Sequence, residues 1–475
     1  MRVLVVPEVY RPRDATACGT LRDAVAWIGR WLDLDPALHV YWLLPPRAAA
    51  GYERADVLAD RERVTLLEAE SLGRGADRDL LTDTGYTTAQ LEAIREGIFE
   101  ADAYLDAVVD QLRSGRFLLY KWLLEHVDHW AASVRPFDVI ANVHDLQVPL
   151  KYRYCSYRND FQMYMECCAV AFADGRWFTA DVDRRQFRAH ARGFLRPEVV
   201  ARADADALSI GSPIDVDAFD ETYASAPRTL HLAGSMWSKK NVDQLLAIGE
   251  RLHERFGVGT VLTSMEAIPA AASAPEWVTA YPNADRATYE RTLREGDLAV
   301  CASEYETMAR TPFEQAASGQ VLLLRDEPWI EECVPADHPL VAPLDGLADL
   351  AVSAVERWGE AVAANRRLVE YVTRERSPEA VGERTYADLR RRVERKRRAY
   401  EAAPPPALEV VARVLTDVEG AVALDSLVRR TAEYTADGRP FTADPDHAFV
   451  DLVYALRSLG YVDAGNPGTP VFRPA

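Results

Sequence analysis

Two glutamates, Glu306 and Glu314, stand with seven residues between them in the stretch SEYETMARTPFEQAASG, Ser303 to Gly319. The apolar run DLAVCA ends just before it. Residues 304 to 313 therefore read as the loop at the carboxyl end of a strand, and Glu314 as part of the first turn of the next helix. A helix start offers unpaired N–H groups and a favourable dipole to a phosphate. A carboxylate one turn in can accept two hydrogen bonds from a ribose diol. The combination suits a sugar nucleotide, with phosphate at the loop, ribose on Glu314 and the donor sugar near Glu306. Acidic residues also favour first helical turns with no ligand at all, so the pair by itself leaves both readings open. A hydrolase would set two carboxyls facing each other across a sugar; these two lie on one edge of one domain, which argues against hydrolysis.

A second cluster sharpens the reading. The chain holds five lysines, and the other fifty basic residues are arginine. Two of the five, Lys239 and Lys240, stand side by side in the loop after RTLHLAGS. So rare a residue doubled in one loop fits a phosphate contact better than a solvated turn. Asp-x-Asp pairs occur at Asp33/Asp35, Asp181/Asp183, Asp204/Asp206 and Asp215/Asp217, as expected by chance in so acidic a chain, and no metal is assigned.

The elements that must position these residues alternate. RVLVV, HVYWLL, RVTLLEA, FDVIANVHD and GRWFTAD read as strands separated by loops and helical patterns such as LRDAVAWIGRWL. After the extended segment ALSIGSPIDVDAFD the alternation restarts with RTLHLAGS, NVDQLLAIGERLHERF, GTVLTS, ADRATYERTLREG, DLAVCAS, TPFEQAASG and QVLLLRD. Such alternation means parallel sheets covered by helices. The fold class is α/β: two Rossmann-like doubly wound domains facing a cleft, plus a small C-terminal winged-helix-like domain. The expected domains are 1–210, with a helical insertion at about 87–130; 211–385; a basic helix at 386–403; and a module at 404–475 of three helices and a two-stranded wing. Lys240 and Glu314 are expected to border one shared cavity in the cleft between the two halves.

Composition bounds the rest. The chain has 475 residues, 48% hydrophobic and 27% charged, as in ordinary globular proteins. No run of eighteen apolar residues is present, so no membrane span is expected. The opening MRVLVVPEVYRPRD reads as a first strand, not a signal peptide, and a cytoplasmic location is expected. Six cysteines without a C-x-x-C pair read as reduced thiols. The net charge of −19 should repel polyanions across most of the surface; a GC-rich genome and a salt-adapted surface are both compatible with the arginine-rich, acidic balance.

The Ser303–Gly319 stretch resembles the signature S-x-x-E-G-F-G-x-x-x-x-E-A-x-A-x-G of retaining GT-B glycosyltransferases of the glycogen-synthase and sucrose-synthase type. Ser303, Glu306, Glu314, Ala317 and Gly319 fall in register. LAGSMWSKKNVDQLL, FDVIANVHD, IGSPIDVDAF and YPNADRATYERTLREGDLAV resemble further elements of that family in the same order, together covering most of residues 1 to 390. The resemblance implies that Lys240, with Lys239, neutralises the donor pyrophosphate, Glu314 holds the ribose and Glu306 the sugar hydroxyls. It implies that His144 faces the cleft from the first domain, and that Gly19 lets backbone approach the phosphates. It departs in two places. Thr307-Met308-Ala309 stands where the family has Gly-Phe-Gly, and Ser235 where it has an arginine, a loss that Arg310 could offset. The implied reaction is metal-independent, without cofactor, and has a nucleotide-diphosphate sugar as donor substrate.

For the acceptor, Lys151, Tyr152, Arg153 and Tyr154 follow His144 and combine stacking rings with phosphate-pairing cations; inward-packed helix tyrosines are the other reading. A winged helix beside the basic segment Arg390–Arg398 suggests duplex DNA and transfer to a hydroxymethylated base, although acids outnumber arginines after residue 404. A glycan, lipid-linked sugar or small-molecule acceptor, with the tail used for homodimer assembly, stays open. So does a non-catalytic regulator that senses a sugar nucleotide.

Overall fold

The chain is described by a computed structural model over residues 1–6, 19–44, 62–68, 103–106, 138–143, 175–234, 240–268, 274–306, 309–402, 406–416, 420–423, 461–463 and 471–474, with single residues at 167, 170, 171, 173, 426, 427, 430 and 456. The first half is a seven-stranded sheet of β1 (Arg2–Val6), β2 (His39–Leu44), β3 (Val64–Glu68), β4 (Ala103–Asp106), β5 (Asp138–Val143), β6 (Gly175–Phe178) and β7 (Ala207–Ser209). Its order is β3-β2-β1-β4-β5-β6-β7, with every pair parallel. The second half is a six-stranded parallel sheet of β8 (Thr229–Ala233), β9 (Gly259–Thr263), β10 (Val278–Tyr281), β11 (Leu298–Cys301), β12 (Val321–Arg325) and β13 (Val341–Ala342), in the order β10-β9-β8-β11-β12-β13. Strands buried on both faces read as continuous apolar runs, as LAVC does, buried at every position; GRWF is buried throughout too, its Arg176 satisfied by the carbonyls of Val170 and Ala171. The two halves are thus doubly wound α/β units, as the alternation of patterns predicts.

Helices cover the sheets. Those described are α1 (Gly19–Leu34), α2 (Asp181–Ala191), α3 (Pro197–Ala205), α4 (Val242–Phe256), α5 (Arg286–Glu295), α6 (Arg310–Ala317), α7 (Leu347–Glu356), α8 (Trp358–Arg376), α9 (Pro378–Ala402) and α10 (Pro406–Thr416). In α1 the residues Leu21, Ala24, Ile28 and Trp31 recur at helical spacing and are buried. Trp27 and Trp31 meet Trp177 of β6 edge to face, with ring centroids 6.3 and 5.9 Å apart. Each such pair contributes about 1 kcal/mol beyond area burial.

Two sequence expectations need correction. The stretch 87–130, read as helical, carries strand β4 at Ala103–Asp106, because AYLD is a four-residue strand too short to show a period of two; the rest of that stretch lies outside the described residues. The basic helix at 386–403 is the latter part of α9, which returns from the second half to pack on α1 of the first. Trp31 Nε1 donates to Gly382 O (3.1 Å) and Thr385 Oγ1 (3.0 Å), and Trp177 Nε1 to Asp388 Oδ2 (2.7 Å). Gly382 makes this crossing possible: a Cβ there would lie 2.5 Å from Cβ of Arg30. One residue of the arginine run is interior: Arg392 is 1% exposed and bonded at 2.7 Å to both Asp388 and Asp206. Finally, the wing expected in YVDAGNPGTPVFRP is present as an antiparallel pair of strands, and among the described residues a third strand extends it. β14 (Val422–Ala423), β15 (Tyr461–Asp463) and β16 (Val471–Pro474) pair in the order β14-β16-β15, and Val422-Ala423 is too short to be read as a strand from its residues alone.

One apolar cluster runs through both halves. Phe178 and Phe187 of the first half share it with Phe313, Leu322 and Trp329 of the second. Among the described residues, no helix is long and apolar enough to cross a membrane.

Candidate active site

In the second sheet the sequence order of strands reverses between the neighbours β8 and β11. Loops leaving the carboxyl ends of two such strands diverge to opposite faces and leave a crevice, the usual ligand site of a doubly wound sheet. Lys240 comes from the loop after β8 and Glu306 from the loop after β11. The two meet there: Lys240 Nζ donates to Glu306 Oε1 in a largely buried ion pair. Burial alone would drive the Lys240 ammonium down; the Glu306 carboxylate more than restores it, so the net shift is upward.

Local backbone chemistry sets both loops. Asn241, directly after Lys240, takes the left-handed conformation at φ 53°, which asparagine tolerates, and its Nδ2 donates to Ala302 O at 2.8 Å. That bond ties the lysine loop to the end of β11. Ala309 precedes α6 at φ 45°, ψ 36°. A glycine is the natural residue for that conformation, and alanine holds it at a steric cost. Thr307 and Met308, between Glu306 and Ala309, lie outside the described residues.

Glu314 sits in the second turn of α6 and is 4% exposed. Tyr289 of α5 donates to Oε2 at 2.7 Å, and Arg22 of α1 donates to Oε1 at 3.2 Å. Arg310 Nε lies 3.6 Å from Oε1 and Arg286 Nη1 4.0 Å from Oε2. Burial pushes this carboxyl up, but Arg22, Arg310 and Arg286 outweigh it and hold it below the usual glutamate range. Arg310 itself donates to Asp23 of α1, so its charge is shared between Asp23 and Glu314.

The cavity at Lys240 is not lined by Glu314. Its volume is about 20 Å³, and Leu232, Ser303, Pro312 and Gln315 border it. Consecutive residues of a helix point about 100° apart. Gln315 accordingly turns toward β8, with Nε2 donating to His231 O at 2.8 Å, while Glu314 turns to Tyr289 and Arg22.

Of the residues singled out from the sequence, the structure brings Lys240 and Glu306 into contact and sets Arg310 beside Glu314. Gly19 is the first residue of α1, the helix after β1. Strand β1 is one of the two at which the order of the first sheet reverses. His144 follows the last residue of β5; it, Lys151, Tyr152, Arg153, Tyr154, Ser235 and Lys239 lie outside the described residues. Sequence reasoning missed Arg22, Asp23, Tyr289 and Arg286. Arg22 carried a readable signal: it is a cation in the first turn of α1, where the dipole disfavours positive charge. The others carry none, because their partners are distant in the chain.

No family model matches this sequence, and no curated protein matches it. Solved structures do. Sucrose-phosphate synthase from Thermosynechococcus elongatus superposes with a TM-score of 0.59 at 14% identity, over 82% of this chain and 98% of that one. HepE of Anabaena, solved with UDP, gives 0.57 at 11% identity, over 82% and 100%. The pneumococcal O-GlcNAc transferase GtfA, solved with UDP and GlcNAc, gives 0.56 at 10% identity, over 83% and 99%. At such identities the likeness shows the fold: two Rossmann-like halves in the GT-B arrangement.

Proposed function

We propose that this GT-B chain is a retaining glycosyltransferase, moving a sugar from a nucleotide-diphosphate sugar to a hydroxyl acceptor. The observation that carries the reading is the meeting of Lys240 and Glu306 at the switch point of the second sheet, beside the start of α6. An entering pyrophosphate takes Lys240 from Glu306, and the released carboxylate accepts hydrogen bonds from the donor sugar. As the glycosidic bond to phosphate breaks, charge builds on the leaving oxygen, where Lys240 and the N–H groups of the α6 start stabilise it. The sugar passes through an oxocarbenium-like state, and the leaving phosphate takes the acceptor's proton. Positioning and charge stabilisation then supply the acceleration, with no metal or cofactor in the scheme.

In this reading Glu306 and His144 are catalytic; Gly19, Ser235, Lys239, Lys240, Arg310 and Glu314 bind the donor; and Lys151, Tyr152, Arg153 and Tyr154 bind the acceptor in the cytoplasm. Solved neighbours of the same fold that hold UDP and UDP-glucose support the donor class. Ribose reaches Glu314 by displacing Arg22, whose side chain is 30% exposed.

A hydroxymethylated base of duplex DNA is the acceptor proposed. Arg390, Arg391, Arg395 and Arg398 form an exposed basic stripe on the outer face of α9, interrupted by Glu394, and a helix and small antiparallel sheet suited to a winged helix follow. The net charge of −19 favours the competing reading, a glycan, lipid-linked sugar or small molecule as acceptor, with the tail used for homodimer assembly. The engagement of both Glu314 oxygens favours a sensor that binds a sugar nucleotide without turnover. Nucleotide-diphosphate release decides among them. Release that needs hydroxymethylated duplex DNA supports the first reading and release with sugar acceptors the second, while binding of UDP-sugars without release refutes the enzyme.

A further inference from the structure

The loop that carries Glu306 is gripped at both ends by the other half of the molecule. At one end Tyr305, adjacent to Glu306 and 5% exposed, donates its hydroxyl to Asp183 of α2. At the other end Arg310, the first residue of α6, donates to Asp23 of α1. Asp23 and Asp183 are both 0% exposed. Asp23 is held in turn by Ser212, whose Oγ donates to its second oxygen at 2.6 Å. Fully buried carboxylates are tolerated where charged or hydrogen-bonding groups compensate their lost hydration. Here those groups include two residues that flank the loop of the opposite half.

The loop is also tied within its own half. Trp329 Nε1 donates to Ser303 O at 3.2 Å, Asn241 bonds Ala302 O, and Lys240 reaches Glu306. The first two lie upstream of Tyr305, and the third is the ion pair that a pyrophosphate would break. When that pair parts, Tyr305 and Arg310, on either side of Glu306, remain anchored on the first half.

We propose that Asp183 and Asp23 are positioning residues for Glu306: the first half holds the carboxylate loop in working shape, so that approach of the halves and assembly of the sugar site are one event. This rests on the reading of Glu306 as the sugar-holding carboxylate. Glu306 acts in full only when both aspartates are in place, which confines sugar activation to the closed arrangement and guards the donor from water while the halves are apart.

Tyr305→Phe removes one hydroxyl and keeps the ring in the core; Asp183→Asn keeps an acceptor oxygen for that hydroxyl. Amide hydrogen exchange on the full-length protein reads the tether directly. The expected result is at least tenfold faster exchange at residues 303–309 in Tyr305→Phe, with Asp183→Asn near wild type. In turnover, Tyr305→Phe lowers kcat about tenfold and leaves the KM for the donor within twofold. UDP binding, which needs no contact with Glu306, is unchanged. Unaltered exchange in Tyr305→Phe overturns the proposal, as does a loss of UDP affinity as large as the loss of kcat, the mark of general damage. Should Tyr305→Phe fail to fold, Asp23→Ala, which leaves Arg310 without that acceptor, is read by the same exchange: at least tenfold faster exchange at residues 309–312 is expected, and unaltered exchange overturns the proposal. If the wild type turns over no nucleotide sugar, the enzyme reading falls and the exchange result still decides the tether.

Discussion

Replacing Gly319 by alanine tests how tightly the glutamate helix is seated. Gly319 follows α6 at φ +86°, and a Cβ built there would lie 2.2 Å from the carbonyl oxygen of Thr222 and 2.7 Å from its backbone C and N. Ordinary contacts start near 3.4 Å, so Thr222 or the end of α6 must shift by roughly an ångström. Neither is a flexible side chain tip. The left-handed conformation costs an L-residue about 1–2 kcal/mol relative to glycine, and forced overpacking adds about 1–3. Gly319→Ala should therefore lose about 2–5 kcal/mol, a large share of an unfolding free energy of about 5–15. Gly257 supplies the control. It ends α4 at φ +72°, with nothing within 4 Å of where an added methyl would sit, so Gly257→Ala bears the conformational cost alone, about 1 kcal/mol. Denaturant unfolding followed by far-UV circular dichroism compares the two variants with wild type. Equal midpoints for Gly319→Ala and Gly257→Ala would remove the steric term and refute the reasoning.

Three further outcomes are expected. Glu306→Ala should abolish sugar transfer while the fold and UDP binding persist; normal turnover by the variant, measured as nucleotide-diphosphate release, defeats the assignment. Ala309→Gly should raise stability by about 0.5–1 kcal/mol, since it relieves a residue held at φ 45°; an unchanged or lower thermal midpoint contradicts the strain. His231 is buried with its ring between Thr263 and Gln320, and burial pulls it down to about 4 from 6.5. Its contribution is therefore complete above pH 6.5, where neither state binds the proton. It is lost as pH falls toward 4, because the unfolded chain charges first. The loss amounts to about 3 kcal/mol. His231→Gln should flatten the fall in melting temperature between pH 7 and pH 4.5, and an identical slope in the variant rules the histidine out as its source.

What could be read from the sequence follows the reach of each interaction. The halves were legible because parallel strands buried on both faces leave continuous apolar runs, as in LAVC and VLLL. Lys240 and Glu306 were legible as candidates because each stands in the loop after such a run, the first marked by the scarcity of lysine, and loops after strands at a switch point converge. The surroundings of Glu314 were not. Tyr289 stands 25 residues away and Arg22 292, and no local period relates them. The same holds for Tyr305 and Asp183, separated by 122 positions. In α9 the run of arginines hid an apolar face: Val381, Leu389 and Val393 are buried against the first half, and Arg392 goes in with them because Asp388 and Asp206 neutralise it. A charge run reads as solvated until its counter-ions are seen, and one of these comes from a turn 186 residues earlier.

The return of α9 to the first half means that the chain passes between the halves twice. The outward pass, residues 210–216, and the return at Arg376–Ser377 run side by side. Ile214 N donates to Arg376 O at 2.7 Å, Arg376 Nε to Ser212 O at 3.0 Å, and Arg384 Nη1 to Ile210 O at 2.8 Å. A single connecting strand would let one half swivel, twist or drift in any direction. Two laced together resist torsion and stretching and leave bending across their shared plane as the soft motion. Any rocking of one half against the other would then follow a single arc and return the same side chains to the same opposing surface.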